Sequence, residues 1–233
     1  MFLFFVFWEM MLVPIYFLIV QHTKGNDNNT AFKFLLYTQL SGLFLFLSIA
    51  TLHFIYLKQT GLPTFEYSEL KNTILTLPVS IILMMGFVLG FGVKMPIIFV
   101  HGWLPSVFKD APISVILTGI LIKTAVYGFI RFGIPLFFDS SYIIAPLMMA
   151  LGVITIFYGA FIAYSKTDFR QFIAYSTLSH MGFSLIGLYS LNEIAWQGVV
   201  IQMFASFFSG AALFILAKII YKQTNTYNLN EIS

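Results

Sequence analysis

Gly92-Val93-Lys94-Met95-Pro96, running on to His101-Gly102-Trp103-Leu104-Pro105, is the stretch on which the fold turns. It sets a lysine, a helix-breaking proline and a histidine inside or at the edge of a long apolar segment. A lysine at the middle of a hydrocarbon layer costs about 2.5–3.5 kcal/mol on insertion scales, so it marks a functional site by default. Pro96 has no N–H and its ring clashes one turn back, which interrupts the helix beside that charge. Irregular backbone at membrane depth survives only where protein or a water-filled cavity surrounds it. A charge beside a broken helix is therefore the first place to look for ion traffic.

Outward from that stretch the chain is almost all apolar. Hydrophobic residues make up 59% and charged residues 9%, with a mean hydropathy of +0.91. Soluble domains carry roughly 25% charged residues, so this chain cannot cover itself with a water-compatible surface. Its apolar runs are about twenty residues long rather than alternating ten-residue segments, which predicts an all-α polytopic membrane protein. The net charge of +3 is spread over loops and points away from nucleic acid. With no cysteine, disulfides, thiolate nucleophiles and iron–sulfur ligation are excluded within the chain. Glu9 and the lack of a basic n-region argue against a signal peptide at the start.

Seven apolar spans make up one membrane domain, at about 2–20, 31–57, 72–104, 112–132, 143–164, 169–188 and 195–221, with a polar tail over 222–233. The third is long enough for a span plus an offset half-helix, broken near Lys94 and Pro96. Loop lysines and arginines set the orientation. Lys24, Lys33, Lys109, Lys166, Arg170, Lys218 and Lys222 fall on one side, against Lys58, Lys71 and Arg131 on the other. That excess places the C-terminus on the cytoplasmic or mitochondrial-matrix side.

Three charges lie where lipid or packed protein should be. Glu9 sits near the middle of the first span, where the plainer alternative is an interfacial glutamate at a helix end. Lys123 lies about ten residues from either end of the fourth span, roughly 15 Å at helical rise, too far for its stem to snorkel comfortably to water. Its plainer alternative is an inert lysine buried against a carbonyl. Lys94 needs a partner, and Glu9 is the one carboxylate inside the spans, so a Glu9–Lys94 pair is the economical reading. Opening that pair changes both proton affinities. A lysine that then feels Lys94 as a like charge loses its proton more readily, which makes Lys123 the movable-proton site.

The sixth span adds a polar face. Ser176, His180 and Ser184 recur every four residues and share one side of a helix, with Tyr175, Thr177 and Ser179 nearby. Such a stripe carries a hydrogen-bonded relay, in which His180 titrates near neutral pH, or else it is interhelical packing by small polar residues. His101 is either a relay member or a capping group at the end of the broken span. His22 and His53 read as interfacial.

These residues resemble one family. Phe7-Trp8-Glu9-Met10-Met11-Leu12-Val13-Pro14 is similar to the FFEaxLiP segment of the antiporter-like, proton-pumping subunits of respiratory complex I, the NADH:ubiquinone oxidoreductase. Lys94-Met95-Pro96, His101-Gly102-Trp103-Leu104-Pro105 and Ala111-Pro112 resemble the family's KxP…HxWLP…EAP run. Ile122-Lys123-Thr124-Ala125-Val126-Tyr127-Gly128-Phe129-Ile130-Arg131, and Asp168 through Gly182, resemble the chain 4 branch rather than chains 2 or 5. Gln202-Met203, Ala211-Ala212-Leu213-Phe214 and Thr224-Asn225-Thr226 continue the likeness, which covers nearly the whole sequence.

The resemblance implies the family's inverted-repeat fold and proton translocation coupled to NADH oxidation and ubiquinone reduction. It implies roles for Glu9, Lys94 and Lys123 as input glutamate, paired lysine and central lysine. It implies that NADH, FMN, iron–sulfur clusters and ubiquinone belong to partner subunits, this chain holding no cofactor or metal and doing no redox chemistry. It further implies a multi-pass protein of the mitochondrial inner membrane with its C-terminus in the matrix, and twenty-eight phenylalanines suit an AT-rich organellar gene. There are departures. Phe108 stands for a second histidine, Ser106 for a charged residue, Asp110 for glutamate, and Ser206 and Asn225 for histidines, so hydroxyls or water must serve at the last two. The resemblance covers only the central portion of the family fold, which implies either a split gene, with a separate chain supplying the missing N- and C-terminal helices (the preferred expectation), or a truncated chain. A cation/proton antiporter subunit of the same fold is the closest alternative. A seven-helix receptor and an inert scaffold are the alternatives from other classes.

Overall fold

Two prolines divide the apolar runs that carry Glu9 and Lys94. The computed structural model describes residues 1–23, 29–110 and 120–231. The first run forms α1 (Phe2–Met10) and α2 (Leu12–His22), separated at Met11. Pro14 offers no N–H to the Met10 carbonyl one turn back and its ring crowds that carbonyl. In the first turn of α2 the missing donor costs nothing, because N–H groups at a helix start have no intrahelical partner. After α3 (Asn29–Thr60) and a short α4 (Tyr67–Leu70), α5 (Leu77–Lys94) ends on the lysine itself.

The break after Lys94 follows from Pro96. Met95 leaves the helical region, at φ −87° and ψ 90°, as a residue before proline is forced to do. The chain then turns through Phe99, whose φ of 78° is unusual for a residue with a Cβ. It re-enters a helix as α6 (Leu104–Asp110). The unwound backbone finds partners inside the protein. Trp103 Nε1 donates to the Val93 carbonyl at 2.8 Å, Met95 N to Phe91 O at 2.8 Å, and Ile98 N to Thr155 Oγ1 at 3.2 Å. Thr155→Val keeps the shape and strands the Ile98 N–H, so melting of the purified protein in detergent is expected to show a loss of about 1–3 kcal/mol.

The fourth run is described from Ile120 onward; its part over 111–119, including Ala111 and Pro112, lies outside the described residues. It comprises α7 (Ile122–Gly128), a π-helical turn (Phe129–Gly133) and α8 (Ile134–Leu136). Two long helices follow, α9 (Phe138–Ser165) and α10 (Phe169–Tyr189), and then α11 (Glu193–Thr224). Asp168 Oδ1 caps α10 through Arg170 N at 2.9 Å, and Asn192 Oδ1 caps α11 through Ile194 N at 2.8 Å. Among the described residues, five stretches are long and apolar enough to cross a membrane: Phe2–Gln21, Asn29–Thr60, Leu77–Lys94, Phe138–Ser165 and Glu193–Thr224. Of the seven expected spans, the fourth (about 112–132) and the sixth (about 169–188) are not among these five. Among the described residues the architecture is all-α, with one isolated bridge between Asp168 and Asn228.

The closest helix pair is α9 with α10. A Cβ at Gly182 would stand 2.6 Å from the Gly152 carbonyl, and one at Gly159 would stand 2.7 Å from Ser179 N. Small residues are what allow two membrane helices to approach backbone to backbone. The polar tail begins as the last turn of α11, turns at left-handed Asn225 (φ 56°) and folds back. Phe169 N donates to Tyr227 O at 3.0 Å and Leu229 N to Thr167 O at 2.8 Å. Arg170 completes this clasp. It pairs with Asp168 at 2.8 Å, lies 3.9 Å from the Tyr227 ring and donates to the Lys109 carbonyl at the end of α6 at 2.5 Å. Burial pushes the Asp168 carboxyl upward, but Arg170 and the backbone N–H groups outweigh it and hold the group below the usual aspartate range.

Candidate functional site

Lys94 is fully buried, at 0% exposure. Its ammonium donates to the Trp8 carbonyl at 2.9 Å and sits over the Trp8 ring, 3.6 Å from the centroid. As the last residue of α5 it also lies at that helix's negative end, which favours a cation. The expected Glu9–Lys94 contact is absent from this arrangement: among the described residues the one ion pair within 4 Å is Asp168–Arg170. The two groups stay within electrostatic range of each other. Glu9 turns instead toward α3, where a Cβ on Gly42 would overlap its carboxylate. Its Oε1 is buried without a hydrogen-bond partner, at the edge of a groove of about 500 Å³ that also presents Gln39, Gly42 and Leu43.

Lys123, 9% exposed, lies on α7 and donates to Ser206 Oγ of α11 at 2.5 Å. The Ser206 hydroxyl in turn donates a hydrogen bond to the Met203 carbonyl at 3.2 Å. A hydroxyl thus meets the lysine at Ser206, where the resemblance leads one to expect a histidine. Helix α5 packs against α7 and the π-helical turn that follows it, where Phe91 stands edge-on to Phe129 at 5.1 Å. No hydrogen bond joins the two lysines to each other or either of them to His101, which is half-buried between the rings of Tyr158 and Tyr175.

The stripe on α10 divides into two roles. Ser179 donates to Ile156 O of α9 at 3.0 Å, so it serves helix packing. Thr177 and Ser184 bond back to the Ile173 and His180 carbonyls of their own helix. Ser176 makes no hydrogen bond to His180 or Ser184. His180 faces α11, where Gln202 Nε2 donates to its Nδ1 at 3.3 Å. A groove of about 460 Å³ opens there, lined by His180, Ser184, Gly187, Gly198, Val199 and Gln202, and His180 lies within electrostatic range of Lys123. Sequence reading missed Trp8, Gly42 and Gln202 as site residues. Each was in plain view, but only tertiary packing brings it to the charge it serves.

A broken span ending on a buried lysine, a glutamate on the preceding discontinuous span and a second buried lysine define an antiporter-like membrane subunit. The chain belongs to the NADH:quinone oxidoreductase/Mrp antiporter transmembrane family, whose model matches residues 1–233. It is 50% identical over 236 residues to NADH-quinone oxidoreductase subunit M of Escherichia coli K12, across 98% of this chain and 46% of that protein. To NAD(P)H-quinone oxidoreductase chain 4 1 of a Picosynechococcus strain it is 38% identical over 233 residues, across 99% of this chain and 43% of that one. A chain in the structure of respiratory complex I from Thermus thermophilus with bound NADH superposes with a TM-score of 0.87 at 27% identity, across 98% of this chain and 48% of that one. The chain therefore spans about half the length of the relatives it matches.

Proposed function

We propose that this chain is the central part of a proton-translocating membrane subunit of an NADH:quinone oxidoreductase. Glu9, Lys94 and Lys123 move protons in step with NADH oxidation and quinone reduction elsewhere in the complex. The observation that carries this reading is Lys123, a lysine in the membrane interior that no carboxylate neutralises among the described residues and that bonds to a hydroxyl able to accept or return a proton. A lysine held only for structure is paired or snorkels; an unpaired one at this depth marks an ion or proton route. His180 of α10 and Gln202 of α11 extend the route, whereas Ser179 serves packing and Ser184 bonds back along its own helix. Pro96 supplies the break that ends α5 on Lys94.

The chain has no cysteine to ligate an iron–sulfur cluster, and those clusters, with NADH, FMN and ubiquinone, are assigned to partner subunits. Further membrane helices of the complex are assigned to α11, which buries only Val199, Gly210 and Ala217. The reading as a cation/proton antiporter subunit shares the family but not the names of these relatives, which are NADH- or NAD(P)H-quinone oxidoreductase subunits. The loop charges put the C-terminus on the cytoplasmic or matrix side. The mitochondrial inner membrane is one home for such an arm. The bacterial and cyanobacterial relatives favour a bacterial coupling membrane, and immunolocalisation separates the two. The function itself is tested by NADH-driven acidification of sealed vesicles carrying the assembled complex. With Lys123→Ala, pumping is expected to fall by about a hundredfold, the scale of one positioned proton-transfer group; unchanged acidification removes the proposal.

A further inference from the structure

One residue meets the Lys94 ammonium twice, through its ring and through its main chain. Trp8 is 1% exposed and Lys94 0%, so the contact is dry, the condition under which a cation over an indole face is attracted most strongly. The Trp8 carbonyl is free to accept because it lies in the last turn of α1, whose final carbonyls have no intrahelical donor. Pro14 sets that end, and the negative pole of α1 adds to the attraction. The ring is itself clamped: Phe91 stands edge-on at 5.2 Å and Phe4 lies tilted at 5.5 Å. Phe91 precedes Lys94 by one turn on α5, so a single helix supplies both the cation and the residue that holds its seat.

Glu9 is next in sequence to Trp8, yet successive helical residues point about 100° apart. Its carboxylate rests against Gly42 rather than against the ammonium. We propose that Trp8 is a positioning residue for proton transfer: it holds the Lys94 ammonium beside Glu9 without letting the ions pair. The pair then forms and parts by a swing of the lysine stem between ring and carboxylate, and Lys94 never has to lie uncompensated in the interior. This rests on the relay function proposed above.

The test uses the assembled complex in its native membrane, with fluorinated tryptophans placed at position 8 alone by nonsense suppression. Fluorine withdraws electron density from the ring face at nearly constant shape, so a merely structural tryptophan does not notice it. NADH-driven pumping is expected to fall stepwise with fluorine number, to about a tenth for the most fluorinated ring. Trp8→Phe, which keeps a π face, is expected to retain more pumping than Trp8→Leu at equal assembly. A rate indifferent to fluorine overturns the positioning role, as does equal pumping by the Phe and Leu variants. Lys123→Ala in the same membranes separates the two levels. Loss of pumping there with a flat fluorine series sinks Trp8 alone, and survival of pumping there sinks the relay and this inference with it.

Discussion

Lys94→Met is expected to stop proton translocation while leaving the protein as stable as before, or more so. Taking an ammonium out of water costs several kcal/mol even after relaxation. Against that, Lys94 recovers a hydrogen bond to a carbonyl, about 1.5–3 kcal/mol for a charged donor, and a desolvated cation–π contact of about 2 kcal/mol. The terms nearly cancel, and methionine fills similar space between Trp8 and Phe91 without the desolvation cost. The expected change in stability is therefore within about 1 kcal/mol, since buried ions replaced by apolar residues of like volume are often neutral or stabilising. Pumping has no such substitute. Vesicle acidification should drop by at least about tenfold, while thermal melting and complex yield stay level. A variant that is unstable and still pumps would mean that Lys94 is a structural tie.

Gly182→Leu is expected to have the largest effect on the fold. A Cβ at that position already stands 2.6 Å from the Gly152 carbonyl and 2.9 Å from Ile156 N. Both neighbours are backbone and cannot rotate away, so α9 and α10 must part along their whole contact. Overpacking ordinarily costs about 1–3 kcal/mol, and with rigid backbone on the far side the cost belongs at the top of that range. Separation also breaks the Ser179–Ile156 bond. Loss of assembled complex in membranes is the measurement; normal assembly would show that the two helices have slack. Gly182→Ala should be milder but in the same direction.

The two outcomes separate what a charge does from what a shape does, and the same division governs what was legible beforehand. Lys94, Pro96, Glu9 and Lys123 stand out in a run of apolar residues because each carries a free-energy cost in lipid whatever its neighbours are. Pro14 and Pro96 act through their own rings on adjacent backbone, so both breaks follow from local chemistry. Ser206 could be singled out as a departure, but its bond to Lys123 depends on α7 and α11 meeting. The α10 stripe read equally well as relay or packing. The helical period places residues on a face without saying which neighbour that face meets, and Ser179 proved to meet α9.

The sequence by itself determined an all-α membrane protein with its third span broken at Pro96, because hydrophobic length and proline chemistry are local and context-free. It also determined which ionisable groups had to be accounted for. Only the tertiary structure decided who answers them: Trp8 rather than Glu9 holds Lys94, Gly42 receives Glu9, and Ser206 meets Lys123. The reason is geometric. A partner residue eighty or more positions away in the chain is selected by how helices pack, and that packing is set by glycines and aromatics whose own letters carry no charge and no cost.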